Sequence, residues 1–165
     1  MTSFDLQLLF DALAQQCSVR ASEHIEDAVD IDVNGTRVSA QWSEDAGLIE
    51  LTVALPPMLD VGAQPELSLP LFRALLERQW LQWGGEHGLA FGLLPATDEV
   101  VAMTSLDGDA LVGPDGLLAA LQQMVMAALA EWYGICAQVL LQHQQAHEAA
   151  AGPAVRPPGS AFVSA

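Results

Sequence analysis

The hydrophobic period of this chain switches between two values, and that constrains the fold more than any single motif. Between residues 28 and 55 apolar side chains fall at every second position. Val29, Ile31 and Val33 alternate with Asp30 and Asp32, and Val38, Ala40 and Trp42 alternate with Arg37, Ser39 and Gln41. Leu51, Val53 and Leu55 alternate with Glu50 and Thr52. A period of two puts one strand face on a core and the other in water. Asn34-Gly35 joins the first two runs, and both residues suit the positive φ that a two-residue hairpin demands. The segment 43–47 supplies a second turn. Pro56-Pro57 ends the third strand, because proline cannot donate to the ladder. A three-stranded antiparallel meander over residues 28–55 is expected.

On both sides the period is 3.6. Residues 3–17 read as a helix with Leu6, Leu9, Phe10, Leu13 and Cys17 on one stripe and Ser3 as its cap. Residues 18–27 read as a polar connection and 58–67 as a loop. Ser68 is expected to cap a second helix, with Pro70 in its first turn. This helix carries a broad apolar face: Leu71, Phe72, Leu75, Leu76, Trp80 and Trp83. Gly84-Gly85 stops it. Two short strands follow at 89–93 and 99–106. The last helix, 115–148, carries a stripe running from Leu117 through Leu121, Val125, Ala128, Trp132 and Val139 to Leu140. The resulting class is α+β: helix, three strands, helix, two strands, helix, with one antiparallel sheet packed against the helices. Residues 1–150 form one domain, and the Pro/Gly/Ser-rich residues 151–165 read as a mobile tail.

The charge balance excludes several partners. Among 165 residues there are 21 Asp plus Glu against 5 Lys plus Arg, for a formal net charge of −16. Such a surface repels phosphate backbones and anionic membranes, so no nucleic-acid partner is expected. The apolar runs are interrupted short of the roughly 20 residues a membrane span needs, so no membrane insertion is expected. The N-terminus lacks the basic, then apolar, pattern of an export signal. Two cysteines, Cys17 and Cys136, make no disulfide framework, and a cytoplasmic location follows as the expectation.

Chemistry-bearing patterns are sparse. There is no G-x-S-x-G elbow and no phosphate-cradling glycine spacing. Asp30 and Asp32 share a strand face but read as its wet side. Cys136, His143 and His147 could present metal ligands on one helix. The spacing is not that of a known zinc site, and histidines suit a helix C-terminus without any metal. No enzyme activity, cofactor or metal is expected. The stronger anomaly is apolar surplus: a second helix greasy over more than one stripe needs a cover on two sides, and a symmetric dimer supplies one.

The order of elements and several of their residues resemble the class I type III secretion chaperones, the family of the Tir and multi-effector chaperones. The resemblance covers about residues 3–145. It is carried by the opening Phe4-Asp5-Leu6-Gln7-Leu8-Leu9-Phe10 helix, the Asn34-Gly35 hairpin, the strand into Pro56-Pro57 and the Leu75–Gln79 segment before Gly84-Gly85. The strand at 88–93 and the long last helix match as well. Gln79 departs from the asparagine that relatives often carry. The resemblance implies a cytoplasmic, non-enzymatic homodimer whose two-fold interface uses Leu71, Phe72, Leu75, Trp80, Leu89 and Phe91. It implies that N-terminal segments of secreted effectors are held extended near Leu6, Phe10, Leu13, Val38 and Trp42 and delivered for export, with the export ATPase as a further partner. A second reading keeps the dimer but makes it a regulator that sequesters a transcription factor.

Overall fold

Asn34 (φ 55°) and Gly35 (φ 82°) both adopt the left-handed backbone that closes a two-residue hairpin. The Gly35 N–H donates to Asp32 Oδ1 at 2.8 Å, which fixes the turn from its own strand. The computed structural model describes residues 8–9, 11–13, 21–25, 28–43, 45–59, 63–82, 88–94, 99–107 and 113–151. Six strands form one sheet: β1 (Ala21–Ile25), β2 (Ala28–Val33), β3 (Thr36–Ser43), β4 (Leu48–Ala54), β5 (Ala90–Leu94) and β6 (Glu99–Asp107). Their order is β1-β2-β3-β4-β6-β5, and every pairing is antiparallel. Two helices, α1 (Ser68–Gln82) and α2 (Gly113–Ala151), complete the α+β fold, and residues 8–9 and 11–13 are helical.

The meander over β2, β3 and β4 forms in the expected register, with Val38 opposite both Ile31 and Val53. The strand β1 corrects the expected polar connection at 18–27. Its sequence, ASEHI, lacks the alternation of a half-buried strand. It needs none, because β1 is a sheet edge held by backbone pairing to β2 on one side only. The loop at 58–67 also gains a 3₁₀ turn, Pro65–Leu67, that leads directly into α1. Ser68 therefore already has helical dihedrals (φ −59°, ψ −52°) and is no N-cap.

The core lies between one sheet face and the helices. Ile31, Val38, Ile49, Leu51 and Val53 project from the sheet, and Leu117, Leu121, Val125, Ala128 and Val139 meet them from α2. Leu67, Leu71 and Leu75 close the core from the side of α1. One hydrogen bond ties the layers: the Trp132 indole N–H donates to the Pro56 carbonyl at 2.8 Å. The proline pair that ends β4 thus also presents a free acceptor to α2. Among the described residues no polar or charged side chain is buried.

One expectation on membranes needs amendment. The stretch Pro114–Ala150 has a window of mean hydropathy 1.6 and is long and apolar enough to meet the length and composition of a membrane span. Its inner residues pack on a sheet, as those of a core helix do.

Candidate functional site

The catalytic candidates are accounted for by structure. Asp30 accepts the Ser39 hydroxyl across β2 and β3, and Asp32 holds the hairpin turn. Burial drives the Cys136 thiol up to about 11, so it is protonated at neutral pH. The His143 and His147 rings stack edge to face with centroids 4.5 Å apart. Among the described residues no three His, Cys, Asp or Glu side chains come together to hold a metal.

Exposed apolar surface is where the molecule is unusual. Among the described residues the edge strand β5 pairs with β6 alone, which leaves one side of its backbone without a sheet partner there. It ends in exposed Leu93 and Leu94. Next to it packs α1, whose outer face carries exposed Leu69, Phe72 and Leu76. The spacing i, i+3, i+7 makes these three one ridge. The strand edge, Leu93 and this ridge are neighbouring apolar surface, an apolar ledge, while Leu94 points to the opposite sheet face beside Arg37 and Thr52.

The expected site residues divide sharply. Of the dimer set, Phe72 lies on this ledge and Leu89 is partly buried beside the core. Leu71, Leu75 and Phe91 are instead core residues of the single chain. Trp80 belongs to α1, but its side chain lies outside the described residues. Of the client-binding set, Leu13 and Val38 are 0% exposed and Trp42 is 9% exposed. Side chains so placed build the wall of the core and have almost no surface to offer a client. The alternating stripe that marks a strand face as apolar is the same stripe that must be buried when the sheet folds. Leu6 and Phe10 lie outside the described residues. Sequence reading missed Leu69, whose place on the ledge could have been found from its spacing with Phe72 and Leu76.

A second feature lies between the helices. Arg78 of α1 pairs with Glu131 of α2, and beside them opens a cleft of about 320 Å³ lined also by Glu77, Gly134, Ile135 and Gln138. The Arg78 Nε donor is buried there without a partner among the described residues. Gly134 is the informative residue. Glycine inside a helix costs about 1 kcal/mol relative to alanine. A Cβ at this position would meet nothing within 4 Å, so no packing inside the fold demands the glycine.

No protein-family model matches the chain, and no curated protein matches it by sequence. Among solved structures the chain superposes on a chain of the "Structure of the HopA1-SchA Chaperone-Effector Complex" with a TM-score of 0.50 at 16% identity. The match covers 79% of this chain and 91% of that one. At this identity the likeness establishes a shared fold: an antiparallel sheet backed by helices, as in a chain of a chaperone–effector complex.

Proposed function

We propose that this protein is a cytoplasmic chaperone of the type III secretion kind, which holds the N-terminal segment of an effector extended and hands it on for export. The observation that carries this reading is the fold, superposable over most of both chains on part of a chaperone–effector complex. The resemblance of the sequence to class I secretion chaperones points the same way. The apolar ledge supports it physically. An open strand edge offers backbone hydrogen bonds to any extended chain, and neighbouring apolar side chains select among sequences. Ordering a disordered client consumes part of the interaction energy, so even a large interface can release. The charge of −16 keeps a protein with exposed apolar surface in solution.

The reading includes a homodimer built on the α1 ridge alone, through Phe72 with Leu69 and Leu76 rather than through the buried Leu71 and Leu75, which leaves the β5 edge to the client. Phe72→Asp with Leu76→Asp is expected to give a folded monomer in sedimentation equilibrium; an unchanged mass counts against the interface. The function itself is tested by affinity capture from the source organism, followed by mass spectrometry and limited proteolysis of the complex. A secreted protein protected only in its N-terminal segment supports it. A DNA-binding protein would support the sequestering regulator instead, and a partner bound through a folded domain would sink both.

A further inference from the structure

The outward face of α2 is apolar and uncovered, and it repeats. Met126, Tyr133 and Leu140 are spaced by seven residues and are 65%, 46% and 46% exposed. Seven residues are close to two helical turns, so the three stand in line over about 21 Å. Beside them run small exposed residues, Ala130, Gly134 and Ala137. Large knobs flanked by small residues at a seven-residue period are the pattern of one helix receiving another, with the small positions letting the backbones approach. The large side chains of this seam leave on the order of 300 Å² open, comparable to the largest patch of a typical monomer, which is often functional.

Charge separates the occupants. The seam itself carries no charge. At its side lies the interhelical cleft, where Glu77, Glu131 and Arg78 are the charged lining among the described residues, and Arg78 is already engaged by Glu131. Gly134 lines the cleft, and with Ala130 and Ala137 it forms the row of small residues between cleft and seam. A long cationic side chain could lay its stem over Gly134 and Ile135 and bring its head to Glu77. The chain as a whole carries −16, so the field at this face is attractive to a basic partner. A basic helix brings the complementary sign.

We infer that the Met126–Tyr133–Leu140 seam and the adjoining cleft at Gly134 bind an amphipathic helix of the client that carries basic residues beside its apolar face. The inference rests on the chaperone reading and adds a helical anchor to the extended segment. Two synthetic helical peptides test it, both with leucine at the a and d positions of three heptads, one flanked by Lys and Arg and the other by Glu. Binding to the full chain is followed by fluorescence anisotropy, with circular dichroism confirming that each variant is folded. The basic peptide is expected to bind at least about tenfold more tightly than the acidic one. Tyr133→Asp, and Gly134→Leu, which fills the notch, are each expected to weaken it about tenfold or more. Glu77→Gln is expected to lower the preference for the basic peptide and leave the acidic one unchanged. Equal binding of the two peptides, or binding indifferent to both Tyr133→Asp and Gly134→Leu, overturns the inference. So does self-association of the chain alone that Tyr133→Asp abolishes, which assigns the seam to a second copy. If a native effector segment binds with unchanged affinity to both seam variants, the seam falls and the chaperone reading stands.

Discussion

The two apolar faces of α2 have similar chemistry and opposite fates. Leu121, Ala128 and Ile135 repeat every seven residues and are buried; Met126, Tyr133 and Leu140 repeat every seven residues and are exposed. Met126 lies two positions round from the buried Met124 and five beyond Leu121, which on a helix of 3.6 residues per turn is about 140–160° away, and Tyr133 and Leu140 lie about 100° round from the buried Trp132 and Val139. Hydrophobicity therefore does not decide what is core in this molecule. The sheet does, because it covers one side of α2 only. The apolar residues on the other side stay exposed.

The largest test of that contrast is a pair of truncations. Leu121→Ala removes side-chain volume from the fully buried face and is expected to lower the unfolding free energy by about 2–5 kcal/mol. Leu140→Ala removes the same atoms from the open face and is expected to stay within about 0.5 kcal/mol of the parent. Urea denaturation of both measures the difference. Similar losses would mean that the outer face is already covered in the folded protein.

Cys136 sharpens the comparison by titration. Its thiol is buried on the inner side of α2 and raised to about 11 by desolvation from a reference of 9.0. The folded state thus holds this proton more tightly than the unfolded chain does. Stability linked to the thiol is complete below pH 9 and is lost as pH rises from 9 to 11, by on the order of 2 kcal/mol. Cys136→Ala should flatten that part of the stability profile relative to the parent. Profiles of equal slope would show that the thiol reaches water. For Trp132, whose indole N–H donates to the Pro56 carbonyl, Trp132→Phe is expected to cost about 1–3 kcal/mol, again by denaturation. A loss below about 0.5 kcal/mol would mean that water replaces the indole at Pro56.

Much of this fold is legible in the residues themselves. The alternation from Val29 to Leu55 and the Asn34-Gly35 turn set the register of three strands, because a slip of one residue would put Asp30 and Asp32 into the core. What escaped was of two kinds. The edge strand β1, Ala21 to Ile25, carries no alternating stripe, and its pairing with β2 is what makes it a strand. The site escaped for the opposite reason. Val38 and Trp42 read as apolar and available, yet the alternation that makes them visible also buries them. Leu71 and Leu75 met the same end: α1 is apolar on two sides, and period alone cannot say which side meets the sheet. Phe72 fell on the open side. On α2 the stripe from Leu117 to Leu140 read as one surface, while the structure separates Leu140 from it and adds Ile135.

The smallest effect is expected at the boundary between the two faces. Arg78 and Glu131 join α1 to α2 across the rim of the cleft, and both side chains are about a third exposed. An ion pair so placed is screened by water, and holding two long side chains in register offsets much of its attraction. Arg78→Met keeps most of the stem, removes the charge and also removes the unpaired Nε donor. The expected change in stability is less than about 1 kcal/mol, small beside the truncation at Leu121. A loss of several kcal/mol would make the pair a structural clasp and give the cleft a role inside the fold. A near-zero change leaves Glu77, Glu131 and the notch at Gly134 with no structural duty, and the reason for their arrangement must then lie with what binds there.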